Sequence, residues 1–265
     1  MPMFSQFGPT IAGLILVGMA SGLEGIQQFL TSLVEWRVGL QWYAIALFTA
    51  PLVALGVAGI HATVGWSTPQ FLPLSELHER YIRNFRTGGW NVHEAKPLPT
   101  LGFIRLLGTL AAKRRLGALA VFVLTGICFG ALSEEPGWRG YSLRMLLDYH
   151  SPLQASLLVA VYWGLWHTGP DFWKLVFQRN PMALAYPVVI TIGSVPLSIL
   201  FTWVYIGSGG SVFLAVLFHA SLNMTYTVMS LIWPQVPFQV RYVEFTAGFM
   251  VLALAVLLMT QGQLG

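Results

Sequence analysis

Long apolar runs separated by short polar stretches dominate the chain. Seven windows stand out, at roughly 9–21, 40–66, 116–134, 152–169, 183–206, 211–232 and 242–260. About 17 to 25 apolar residues in a helix cross about 30 Å of hydrocarbon. None of the windows shows the short alternating strands of a membrane β-barrel. The pattern predicts an all-α, polytopic membrane helical bundle with about seven transmembrane helices. The first window is short and has Glu24 on its flank, so it is expected to form only part of a membrane segment. The second holds Pro51 and His61 and is expected to kink or to end early.

Charge sharpens this picture. Eight of the fourteen Lys and Arg residues fall between 67 and 115. A segment that basic is predicted to stay cytoplasmic. Within it, "LSELHERYIRNF" (74–85) and "TLGFIRLLGTLAAKRR" (100–115) read as amphipathic helices lying on the membrane surface among lipid headgroups. The same charges call for no nucleic-acid partner. "MPMFSQFGPT" contains no Lys or Arg and is not a secretory leader.

Composition agrees. Apolar residues make up 55% of the chain and charged residues 9%, against about 25% charged in a soluble domain. Cys128 is the single cysteine, which excludes an intramolecular disulfide and a thiolate metal cluster. It sits in an apolar run with no activating neighbour and is read as packing. No internal repeat or soluble domain is present, so residues 1–265 form one membrane domain. The ten tryptophans scatter towards span ends, as interfacial anchors do.

An ionisable group inside a span costs at least about 2.5 to 3.5 kcal/mol on insertion scales, so each one needs a reason. Few remain once the surface loops are set aside. Glu134, Glu135 and Arg139 lie in "GALSEEPGWRGYSL", His167 in "VYWGLWHTGP", and His219 with Asn223 in "LFHASLNMT". On a helix, Glu135 and Arg139 share a face and can pair. Glu134 is rotated about 100° away and is free for another task. A desolvated carboxylate can serve as a general base near neutral pH. The plainer alternative is a salt bridge at a helix end, with Pro136 and Gly137 breaking the helix there.

His219 and Asn223 also share a helical face and can both bond one oxygen; alternatively they glue two helices together. His167, taken alone, is an interfacial histidine. Together, three spans deliver the parts needed to activate water and to stabilise a tetrahedral intermediate.

These motifs resemble a known family. "EEPGWR" (134–139) matches Glu-Glu-x-x-x-Arg, "WGLWH" (163–167) resembles Phe-x-x-x-His, and "HASLN" (219–223) matches His-x-x-x-Asn. In this order, about 30 and 50 residues apart, they are similar to the CPBP family of intramembrane proteases. That family includes type II CAAX prenyl endopeptidases and bacteriocin-processing or self-immunity proteins. The similarity covers about 116–232, the family-like catalytic core.

The resemblance implies an endopeptidase acting on a membrane-associated peptide or a lipidated protein, in a bacterial inner membrane. Glu134 would activate water with help from His167. Glu135 and Arg139 would form a structural pair, and His219 with Asn223 would stabilise the oxyanion. Family members are often described as metalloproteases. Zinc on Glu134, His167 and His219 is the option that would follow, and no cofactor is the favoured one, since no His-Glu-x-x-His motif is present. Trp163 replaces the family's phenylalanine and is expected to be tolerated as a packing aromatic. The "FGP" stretch begins six residues into the chain, closer to the start than in relatives, so the N-terminus reads as truncated or naturally short.

Two other functions use the same residues. One is a proton-coupled transporter with Glu134, His167 and His219 as a relay, although matched repeats are lacking. The other is a non-catalytic membrane adaptor or self-immunity protein.

A geometric requirement follows. If one span ended at 134 and the next began at 152, Glu134 and His167 would lie near opposite membrane faces. The catalytic reading therefore predicts a continuous or kinked helix to about 147, with Glu134 near its middle. The salt-bridge alternative predicts a stop at Ser133. Of the remaining residues, His61 is expected at the interface, and "PDFWKLVFQRN" (170–180) is expected to form an interfacial loop.

Overall fold

The computed structural model describes residues 6–70, 76, 79–80, 123–124 and 127–265. Within these, the side chains of residues 128, 129, 170, 171, 174 and 182 are not described. Most of the basic 67–115 segment, its two amphipathic stretches and the Cys128 side chain thus lie outside the described residues.

The described chain is helical. Its elements are α1 (Gly8–Leu33), α2 (Leu40–Thr63), a composite α3, α4 (Pro152–Phe177), α5 (Ala185–Gly207), α6 (Val212–Ile232) and α7 (Phe238–Met259). By overall length and composition five of them, α1, α2, α5, α6 and α7, qualify as membrane spans, and of these α1 is interrupted at Gly22. Their outward residues are apolar, with Leu23, Leu40, Leu258 and Met259 among the most exposed, as lipid-facing positions should be.

The first window's shortness has a structural cause. Gly22 has φ 58° and ψ −148°, a conformation essentially restricted to glycine, and it breaks α1 in two. The chain reverses there: a Cβ on Gly13 would lie 3.7 Å from the Phe29 ring. Each arm is only ~20 Å long at the α-helical rise, too short to cross alone. Glu24 follows the break and is exposed.

The third window does not end at 134. A continuous run of helix, α3, is built of Ile127–Ala131, Leu132–Glu135, Pro136–Leu143 and Arg144–Leu147. The first and third segments are π-helical. Pro136 cannot donate to the carbonyl of Leu132, which a regular α-helix requires, and widened turns absorb the defect instead of stopping the helix. α1 supports the irregular stretch. The Thr10 hydroxyl donates to the Ser133 carbonyl at 2.8 Å and lies 3.4 Å from that of Leu132. Gly137 permits this approach, because a Cβ there would overlap the Pro9 carbonyl.

Small residues and hydroxyls join the other helices, as expected where lipid tails remove the hydrophobic drive between spans. Ser198 of α5 donates to the Ser156 carbonyl of α4 at 2.7 Å, and Ser221 of α6 to the Leu47 carbonyl of α2 at 2.7 Å. Gly164 lets α4 rest on Thr191 of α5. Phe201, Phe218, Phe245, Phe249 and Trp163 fill the centre.

One expectation is corrected. Residues 170–177 continue α4 as helix, so the expected 170–180 loop shrinks to a turn in which Arg179 adopts φ 51°. His61 stands in the last turn of α2 and is buried, its Nε2 2.8 Å from Glu244 Oε1 of α7, between the rings of Trp66 and Trp233.

Candidate active site

The continuity of α3 meets the geometric requirement. Glu134 and Glu135 lie in the middle of the run, both buried, at the junction of α3 with α4, α5 and α6. Their one-residue offset turns them to different neighbours.

Glu135 faces cations. Arg139 Nη1 donates to both its oxygens, at 2.9 and 2.8 Å, and neither side chain has any solvent exposure. On the other side His219 Nδ1 lies 2.6 Å from Glu135 Oε1. A carboxylate only accepts, so Nδ1 carries the proton of this bond and Nε2 is left for another partner. The Arg139 guanidinium is stacked between two rings, its carbon 4.6 Å from the Trp163 centroid and 4.1 Å from that of Phe201. Its Nε and Nη2 have no hydrogen-bond partner among the described residues.

Glu134 faces α4. The Trp163 indole N–H donates to Glu134 Oε2 at 3.0 Å. His167 sits one turn further along α4, with Nε2 3.7 Å from the same oxygen. That separation is too long for a direct hydrogen bond. His167 Nδ1 lies 2.8 Å from the Trp163 carbonyl. A carbonyl accepts, so Nδ1 is the protonated nitrogen, and in the neutral ring Nε2 is a lone pair turned towards Glu134. The site is not sealed: the His167 side chain is 40% exposed, against 12% for Glu134.

Asn223, one turn beyond His219 on α6, approaches α3 at Gly130, where a Cβ would lie 2.6 Å from the Asn223 amide nitrogen. Among the described residues the Asn223 side chain makes no hydrogen bond. All six residues singled out from the sequence thus converge on one region, with α3 central and α4 and α6 on its flanks.

Trp163 was undervalued by sequence reasoning. The aromatic expected only to pack touches Glu134 through its N–H, and its main chain orients His167. The signal was present in the substitution itself, since an indole carries a donor that a phenyl ring lacks.

Trp163 engages Glu134 Oε2, while His219 and His167 each bond through Nδ1, to a carboxylate and a carbonyl, and keep Nε2 as a donor atom, an orientation that metal-binding histidines share. Among the described residues no group of three or more His, Cys, Asp or Glu side chains is arranged to hold a metal ion.

Comparison with known proteins bears on the same segment. Residues 116–225, which contain all three motifs, match the family model "Type II CAAX prenyl endopeptidase Rce1-like". The chain is 28% identical over 116 residues to the CAAX prenyl protease 2 of Methanococcus maripaludis. That alignment covers 41% of this chain and 41% of the relative. The matched segment is thus similar to a type II CAAX prenyl endopeptidase domain.

Proposed function

On the premise of that similarity, we propose that the chain is an intramembrane endopeptidase that hydrolyses a peptide bond of a membrane-associated or lipidated substrate through glutamate-activated water. The observation that carries this reading is the division of labour between adjacent carboxylates. Glu135 is committed to Arg139 and His219, while Glu134 stands beside His167 at a distance a water molecule can bridge. Glu134 Oε1 makes no bond with Trp163 and is the oxygen to take the water's proton. His167 steadies the same water through its Nε2 lone pair, and Glu134, once protonated, returns the proton to the leaving amine.

The oxyanion then develops towards α6. His219, held by Glu135 through Nδ1, supplies an Nε2–H when it is an imidazolium, and the Asn223 amide supplies a second donor. Arg139 touches neither water nor substrate in this scheme. It holds the Glu135 carboxylate in place, and Glu135 in turn orients the His219 ring and stabilises the imidazolium that donates through Nε2. No step needs a metal, and a metal-free mechanism is part of the proposal.

The relative's printed name points to prenylated proteins as the first substrates to try. The test is cleavage of membrane-anchored peptides, prenylated and not, by purified protein in detergent. Wild type, Glu134→Gln and wild type with chelator are compared. Cleavage kept under chelator and lost in the variant supports the proposal. Undiminished cleavage by Glu134→Gln refutes it. Loss under chelator, with recovery on adding zinc, refutes the metal-free part.

A further inference from the structure

We infer that Trp163 is a positioning residue that sets the working state of the base, an inference that rests on the assignment of Glu134 as that base. One residue controls both members of the water-activating pair. Its indole N–H holds Glu134 Oε2 at 3.0 Å, and its carbonyl holds His167 Nδ1 at 2.8 Å. The carboxylate and the imidazole are therefore referred to a single rigid point on α4. Trp163 is itself fixed, 4% exposed and caged by Phe201, His219 and the Arg139 guanidinium.

The consequence is chemical as well as geometric. The donor occupies Oε2, which directs the incoming water to Oε1. A phenyl ring at the same position would keep the cage and lose this effect. This chain thus carries, inside its second motif, a device that a phenylalanine cannot supply.

The charged neighbours of Glu134 do not mimic this contact. α4 brings His167, α3 itself brings Glu135 with Arg139, and α6 brings His219. α5 contains no charged residue, and the one on α1, Glu24, lies beyond the Gly22 break. Trp163 is the uncharged donor on Glu134 among the described residues.

The test joins a spectroscopic and a kinetic readout. In protein with labelled tryptophan, the Trp163 indole N–H resonance is identified as the one missing from Trp163→Phe. It should move in Glu134→Gln. In Trp163→Phe kcat should fall about tenfold with KM little changed, since the substrate does not touch the indole. Trp138→Phe removes a buried indole whose N–H has no partner among the described residues, and it should leave kcat in place.

An indole resonance indifferent to Glu134→Gln overturns the inference, and so does an unchanged kcat in Trp163→Phe. Full cleavage by Glu134→Gln sinks the protease assignment instead, while the resonance still decides whether Trp163 holds Glu134.

Discussion

The buried pair of Glu135 and Arg139 allows the sharpest energetic prediction. Replacing Arg139 by Met removes a guanidinium that donates to both Glu135 oxygens and leaves that carboxylate with His219 as its remaining partner. Both side chains are fully buried, so solvent cannot compensate, and breaking such a pair costs about 3–5 kcal/mol. Glu135→Gln strands the cation instead and should cost a similar amount. The double variant leaves neither charge. The amide carbonyl introduced by Glu135→Gln would still accept from His219, and the methionine introduced by Arg139→Met would fill the slot between Trp163 and Phe201. Its loss should therefore fall far short of the sum, with a coupling of about 6 kcal/mol if each single variant loses about 3. The two orphaned guanidinium nitrogens suggest that the pair adds little net stability, so the double variant should stand near wild type. Reversible unfolding in mixed micelles, followed by tryptophan fluorescence, measures all four proteins. Single losses that simply add to within about 0.5 kcal/mol would refute the reasoning.

Two further predictions concern the frame around the site. Gly137→Ala would drive a Cβ into the Pro9 backbone, which cannot yield locally, so α1 must lift from α3 at a cost of about 1–3 kcal/mol. Gly193→Ala meets the hydroxyl end of Tyr242, which can swing aside, and should cost clearly less. Thermal unfolding of the two variants gives the order, and the reverse order would show the α1 contact to be loose. Away from α3, Glu244→Ala leaves the buried His61 without its carboxylate partner and should lower stability by about 1–3 kcal/mol. Cleavage by the folded fraction should not change, since this pair lies apart from Glu134. A change in the pH dependence of cleavage would tie the pair to catalysis instead.

Much of the fold was legible because apolar run length measures membrane helices directly. The windows at 183–206 and 211–232 lie within two residues of α5 and α6. The failures share one origin. Hydropathy reports where a segment sits, not where its backbone turns. Gly22 reads as an ordinary small residue until its positive φ reverses α1. At the other end of that contact, Pro136 and Gly137 look like a helix stop. They become part of α3 because widened turns and the Thr10 hydroxyl accommodate the missing donor. The partner of His61 was hidden for a related reason: Glu244 is distant in sequence and gives no periodic signal.

The site was legible to a different degree at each residue. Glu135 with Arg139, and His219 with Asn223, could be paired by helical spacing alone, because each pair lies on one helix. The bond from His219 to Glu135 crosses helices and could be found only in three dimensions. It alters the reading of both residues. His219 is the end of a chain running from Arg139 through Glu135, so under the proposed mechanism a change at Arg139 should reach the oxyanion side without touching substrate. Trp163 presents the converse case. Its atoms meet Glu134 across helices, yet the clue lay in one letter of the sequence, an indole in a phenylalanine position. A motif matched by residue class counts both as aromatic. A motif matched by hydrogen-bond inventory separates them, since only the indole can hold the base that its neighbour His167 is to assist.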